Sequence, residues 1–221
     1  MQHYPMFARL AGLPCLVIGG GLVAERKVAT LLQAAATVTV ISPKVTAPLT
    51  EAVRSKRIAH VARPYRDGDL RGFRLAFAAT NDDGVHAAIA SEAEREGTWL
   101  NVVDRPQWCS FIVPAVVERG DLTIAVSTGG ASPALAKRIR EELDGQFGQE
   151  YAQALALLRA ARTQLQAEAR SPGEREEILT ALARSGLLDH LRAGRTDAID
   201  RLLDATMGNG ASIAQLGVRL D

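Results

Sequence analysis

Residues 17–32, VIGGGLVAERKVATLL, constrain this chain more than any other stretch. A short apolar run ends in three glycines and passes directly into a helix-forming segment. Gly19, Gly21 and Ala24 fit the pattern G-x-G-x-x-A, in the strand-to-helix context that makes the pattern informative. The first glycine allows a tight turn. The second lets backbone approach a pyrophosphate. Ala24 lets the helix pack close to the strand, and the helix N-terminus then faces the phosphates. A merely structural turn is the competing reading.

The residues around the loop support a nucleotide-binding sheet. PCLVIG reads as a strand and LVAERKVATLLQAA as a helix, with Val23, Lys27, Thr30 and Leu31 spaced for one face. TVTVIS is a second strand, rich in β-branched residues. A helical piece at residues 47–55 leads to the strand IAHVAR. FRLAFAAT reads as a further buried strand, DGVHAAIASEAEREG as a helix closed by Gly97, and TWLNVV as a strand. Strands alternating with helices argue a Rossmann-type α/β fold, a parallel sheet covered on both faces. The pattern then changes. SFIVPAVVERGDLTIAVST reads as two antiparallel strands joined at Arg119-Gly120-Asp121. Ser132 is a good N-cap for the next helix, with Pro133 at its first position. From Glu150 onward only helical patterns remain, broken at SPG, residues 171–173, with shorter helices at residues 174–185 and 196–207. The expected organisation is a dinucleotide-binding domain over residues 1–113, a strand–helix dimerisation segment over 114–148 and a small all-helical domain over 149–221.

Composition excludes several classes. A net charge of +1 over 221 residues argues against a broad nucleic-acid surface. No apolar run approaches the roughly 20 residues of a membrane span. The start, MQHYPMFARL, lacks the basic flank and apolar core of a signal peptide. With only Cys15 and Cys109, a reduced, cytoplasmic protein is expected, Cys15 lying in the core. His3, His60, His86 and His190 are scattered and read as surface or packing residues, so no metal ligands are assigned. The absence of a Tyr-x-x-x-Lys pair argues against short-chain reductase chemistry.

At the end of the second strand, where an acid usually grips the ribose, the sequence is VISPK. Ser42 or the local backbone offers a ribose contact, whereas Lys44 offers one to a 2′-phosphate. These residues leave NAD and NADP both open. Asp104 follows the strand TWLNVV, and ligands of open parallel sheets sit beyond the carboxyl ends of strands. A carboxylate there suits the proton lost in an oxidation, with Asn101 supporting it by hydrogen bonding. In STGGASP, Gly129 and Gly130 offer backbone N–H groups to an anion, and Lys137, Arg138 and Arg140 follow, as acid-binding groups or as a solvated helix face.

Several motifs in order, FARLAGLPCLVIGGGLVAERKVATLL, VTVISP, AATNDD, NVVDRPQWCSFIVPA and AVSTGGASPALAKRIREE, resemble the siroheme synthase N-terminal family, the precorrin-2 dehydrogenases, some of which are also sirohydrochlorin ferrochelatases. The resemblance runs from about residue 4 to 143 and is looser in the helical tail. It implies NAD-dependent oxidation of precorrin-2 to sirohydrochlorin, a homodimer, a tetrapyrrole beside the nicotinamide, and in some members Fe²⁺ insertion. It places Gly21, Leu22 and Val23 in the pyrophosphate loop, Pro43 and Lys44 at a second nucleotide contact, and Asp104 at the residue central to both activities. Thr128 stands where relatives often have serine, which keeps the hydroxyl and adds a methyl. Ending at Asp221, the chain is expected to be a stand-alone form. Two other functions compete: an NAD-sensing regulatory module, which would bind nucleotide without turnover, and a chelatase with little dehydrogenase activity, for which Cys109 or a histidine near Asp104 would be the discriminating group.

Overall fold

The computed structural model describes residues 3–80 and 82–220, with backbone only at Asp83. Asn81, part of the AATNDD motif, lies outside the described residues. The chain divides into two compact units, Met1–Val113 and Pro114–Asp221.

The first unit is built on a five-stranded sheet. Strands β1 (Pro14–Ile18), β2 (Thr37–Ile41), β3 (Ala59–Val61), β4 (Leu75–Ala78) and β5 (Trp99–Val102) are all parallel, in the order β3-β2-β1-β4-β5. Connections are made by α1 (Leu22–Gln33), α2 (Ala47–Arg54) and α3 (Asp83–Glu96). Strand alternation divides the core. Cys15, Val17, Val38, Val40, Leu75 and Phe77 face Ala24, Val28 and Leu31 of α1 and Leu49 of α2. Leu16, Ile18, Ile41, Ala76, Ala78, Leu100 and Val102 form the opposite core with Ile89 and Ala93 of α3. Strands buried on both faces read as continuous apolar runs, which is why PCLVI and LAFA stand out in the sequence. The buried stripe of α1 is Ala24, Val28 and Leu31, not the expected Val23, Lys27, Thr30 and Leu31. The small Ala24 is fully buried in the core with the strand residues. Its neighbours Val23 and Lys27 therefore flank the stripe half-buried, and Thr30 turns to solvent, its hydroxyl donating to the Arg26 carbonyl (3.1 Å).

The connection from β3 to β4 is pinned rather than loose. Glu92 of α3 is fully buried and accepts from the Leu70 N–H (2.8 Å) and from the Tyr65 hydroxyl. Burial and this carboxylate push the Tyr65 phenol well above its ordinary range. Arg63 grips Asp69 with two nitrogens, at 2.7 and 2.6 Å.

The second unit opens with a hairpin, β6 (Ala115–Arg119) paired antiparallel with β7 (Leu122–Val126), so Gly120 and Asp121 form the two-residue turn. Five helices follow among the described residues: α4 (Pro133–Gln146), α5 (Gln149–Ala167), α6 (Pro172–Arg184), α7 (Leu187–Arg192) and α8 (Thr196–Met207). The SPG stretch is the start of α6 rather than a break outside it. Ser171 caps the Glu174 N–H while the Glu174 carboxylate accepts from the Ser171 N–H, a capping box with Pro172 at the first helical position. Helix α7 has only six residues, too short to show a helical period, and was not expected from sequence. Leu157, Leu165, Leu182, Leu187, Ile199 and Leu203 are the centre of the helical core. Among the described residues, no helix is long and apolar enough to cross a membrane.

Candidate functional site

In a sheet of this order, the chain leaves β1 in one direction and β4 in the other, so a crevice opens at their carboxyl ends. The three glycines lie there. Gly19 has φ +121°, and a Cβ on it would stand 2.3 Å from the Ala79 carbonyl oxygen. Gly20, which the sequence pattern leaves unassigned, is the most tightly constrained. A Cβ there would meet the Lys44 carbonyl oxygen at 1.9 Å and the Ser42 hydroxyl at 2.8 Å. Gly21 is the N-cap of α1, with no side-chain cap, and a Cβ on it would meet nothing within 4 Å. The first turn of α1 therefore presents uncapped N–H groups to open space, the geometry an anion needs. This cradle fits a pyrophosphate. Leu22 is exposed beside it and Val23 is half-buried.

The β2–α2 loop packs against the glycine turn. Thr46 donates its N–H to the Gly20 carbonyl (3.1 Å), and the Ser42 hydroxyl donates to the Lys44 carbonyl (2.7 Å). Ser42 is buried, with its hydroxyl engaged locally, whereas Pro43 and Lys44 are exposed. His60 lies within 2.9 Å of the Ser42 carbonyl, so this histidine ties β3 to β2.

Asp104 follows β5 and is exposed. Its φ is +59°, a left-handed conformation that side chains other than glycine adopt at a cost and that Asp and Asn tolerate best. The segment after it folds back along β5. Cys109 accepts from the Val102 N–H (3.2 Å) and lies 3.3 Å from the Val102 carbonyl, while the Ser110 hydroxyl accepts from the Leu100 N–H (2.7 Å). These side chains satisfy the open edge of β5. Burial pushes the Cys109 thiol up, partly offset by the Val102 N–H, which disfavours the thiolate a metal would need. Asn101 donates its amide to the Phe111 carbonyl (3.0 Å), so it holds this segment in place. His86 is buried, 2.8 Å from the Thr80 carbonyl and packed against Trp108. Among the described residues, no three His, Cys, Asp or Glu side chains converge as a metal site.

Asn101, Asp104 and Arg105 line a cleft of about 460 Å³ whose other wall is Val23, Arg26 and Lys27 of α1. The fold thus brings Asp104, Asn101 and Val23 together. Lys27 belongs to the same cleft; the sequence places it only on a helix face, because nothing in the local pattern marks a lysine as facing a distant strand end.

The remaining expected contacts lie in the second unit. The Thr128 hydroxyl accepts from the Ser132 N–H (3.2 Å) and lies 3.0 Å from the Ser132 carbonyl, closing the loop before α4. Gly129 and Gly130 are exposed, with φ +63° and +86°. Lys137 pairs with Glu141, Arg138 with Glu142 and Arg140 with Glu141, so each of these cations has a carboxylate partner on its own helix, Glu141 serving two. Their arrangement is that of a solvated helix face.

Comparison with known proteins agrees with this geometry. Residues 6–115 match a family described as putative NAD(P)-binding, and residues 119–146 match the central part of sirohaem biosynthesis proteins. The siroheme synthase of Methylococcus capsulatus is 45% identical over 144 residues, 65% of this chain and 30% of that protein. That of Stutzerimonas stutzeri is 36% identical over 203 residues, 92% of this chain and 44% of that protein. The chain thus spans less than half the length of these relatives. A solved structure titled SirC, precorrin-2 dehydrogenase, superposes with a TM-score of 0.77 at 28% identity, covering 90% of this chain and 98% of that one. The glycine cradle, the acid beyond β5 and two matches in the same order along the chain lead to one family: the chain belongs to the siroheme synthase N-terminal family.

Proposed function

We propose that this protein oxidises precorrin-2 to sirohydrochlorin, with NAD as hydride acceptor. The observation that carries the reading is the shared cleft: Asp104 and Asn101 at the end of β5 face Val23 of α1, the helix whose uncapped N-terminus forms the anion cradle. The cradle holds the pyrophosphate through backbone N–H groups at Gly21, Leu22 and Val23, and Pro43 and Lys44 flank the adenosine. Bound NAD supplies the two-electron acceptor. Oxidation also releases a proton, and the Asp104 carboxylate takes it. Asn101 and Cys109 contribute by fixing the wall on which Asp104 stands.

Three finer readings accompany this one. The same carboxylate accepts pyrrole protons when Fe²⁺ enters sirohydrochlorin. Backbone N–H groups near Gly129 and Gly130, with Thr128 shaping their loop, offer carboxylate contacts. The protein acts as a cytoplasmic homodimer assembled through the hairpin and helices of the second unit. The test is anaerobic incubation with precorrin-2 and either NAD or NADP, then Fe²⁺, followed by absorption. The expected result is the sirohydrochlorin spectrum with NAD in preference to NADP, then the metallated spectrum with iron. Nucleotide binding without a spectral change would overturn the dehydrogenase in favour of a sensor. Metallation of supplied sirohydrochlorin by a protein that cannot oxidise precorrin-2 would favour a chelatase.

A further inference from the structure

Lys27 occupies an unusual place in the cleft. It lies in the second turn of α1, six residues after Gly21, roughly 9 Å along the helix axis. Its Nζ stands 5.1 Å from the centroid of the Phe77 ring. That ring is buried in β4 and held edge-on by Phe111 at 5.5 Å. The aromatic face attracts the ammonium and holds it laterally. Lys27 is half-buried, and among the described residues it makes no ion pair. Burial, with Arg26 beside it, lowers its affinity for a proton.

A half-buried ammonium held only by a ring has lost water without gaining an anion. Other half-buried cations have carboxylate partners: Arg63 has Asp69, and Arg119 has Asp144. The cleft around Lys27 is also cationic. Arg26 and Lys27 line one wall, and Asp104 stands on the other. A neutral ligand would gain nothing from this arrangement, whereas a ligand bearing carboxylates would supply the missing counter-charge.

We propose that Lys27 is a substrate-binding residue: its Nζ donates to a peripheral carboxylate of the tetrapyrrole, in the cleft that also holds Asp104. This rests on the dehydrogenase reading for the identity of the substrate. The pyrophosphate is a poorer occupant, because the uncapped start of α1 already serves it.

The test pairs Lys27→Met, which keeps the apolar stem and removes the charge, with Lys27→Arg, which keeps the charge. Three quantities are measured on the whole chain: steady-state oxidation of precorrin-2, the Kd for NAD, and the Kd for uroporphyrin III, a stable octacarboxylate porphyrin. For Lys27→Met, loss of a charged hydrogen bond is expected to raise KM and the porphyrin Kd about ten- to hundredfold. Its kcat should stay within about threefold of wild type, as for loss of uniform binding, and its NAD affinity should not change. Lys27→Arg should recover most of the loss. Unchanged porphyrin affinity in Lys27→Met would overturn the proposal, as would a loss confined to NAD. A wild-type protein that binds the porphyrin through Lys27 yet does not oxidise precorrin-2 would instead sink the dehydrogenase reading and leave the carboxylate anchor standing.

Discussion

Gly21→Asp separates binding from folding more cleanly than any other single change. A Cβ at Gly21 would have no neighbour within 4 Å, and the backbone there is extended, so aspartate enters without strain. It also becomes a good N-cap for a helix that has none, gaining a few tenths of a kcal/mol over glycine. The thermal midpoint should therefore stay within about 2 °C of wild type or rise. Binding should suffer twice. The new carboxylate occupies the first-turn N–H groups that would otherwise meet the pyrophosphate. It also places a negative charge about 5 Å from another, which at an effective dielectric near 20 costs about 3 kcal/mol. That corresponds to a loss of about a hundredfold in affinity. Isothermal titration with NAD measures it, and thermal unfolding monitors the fold. A folded variant whose affinity lies within about threefold of wild type would refute the cradle. Gly20→Ala is the counterpart: its Cβ would stand 1.9 Å from the Lys44 carbonyl oxygen, so it should lose stability as well as NAD.

Asp104→Asn keeps the size and the tolerance of a left-handed backbone and removes the base, so it should fold, bind NAD and oxidise precorrin-2 about 10²- to 10⁴-fold more slowly; wild-type rates would make Asp104 a turn residue. Asp104→Ala is the poorer test, since alanine at φ +59° adds about 1–2 kcal/mol of strain. The bonds from Arg63, aided by the Arg66 N–H, hold the Asp69 carboxyl below its ordinary range. A lowered folded value means stabilisation that is complete above about pH 4 and lost as pH falls through the folded value. Asp69→Asn should thus cost about 1–3 kcal/mol at neutral pH, and the gap to wild type should close in acid denaturation series below pH about 4; a gap independent of pH would refute the linkage. Sedimentation at micromolar concentration should give a dimer, and a monomer would remove the assembly reading.

The sheet was legible because buried parallel strands leave apolar, β-branched runs, and because the glycine loop marks where the first of them turns into a helix. The start of α6 is equally present in the sequence as Ser171-x-x-Glu174, but Pro172 and Gly173 between them also have the composition of a break. The rest depends on partners far away in the chain. Nothing near Gly20 says that a carbonyl from residue 44 will press against it. The hydroxyls of Ser42 and Thr128 and the amide of Asn101 have the chemistry of ligand contacts, yet each is engaged by backbone two to ten residues away. Lys27 reads as an ordinary helix residue, because its neighbour Phe77 is fifty residues away in the chain.

The seam between the glycine loop and residues 42–46 bears on how cofactor preference can change by descent or by engineering. The Lys44 carbonyl sits where a Cβ on Gly20 would be, the Ser42 hydroxyl donates to that carbonyl, and Thr46 ties the loop to the Gly20 carbonyl. The backbone of residues 42–46 is therefore frozen by a glycine in a different part of the chain. Only the exposed side chains at positions 43 and 44 are free to drift. A transplanted loop from an NADP enzyme should fail here for reasons of backbone fit alone, whereas point changes at Lys44 should move the preference without disturbing the phosphate grip.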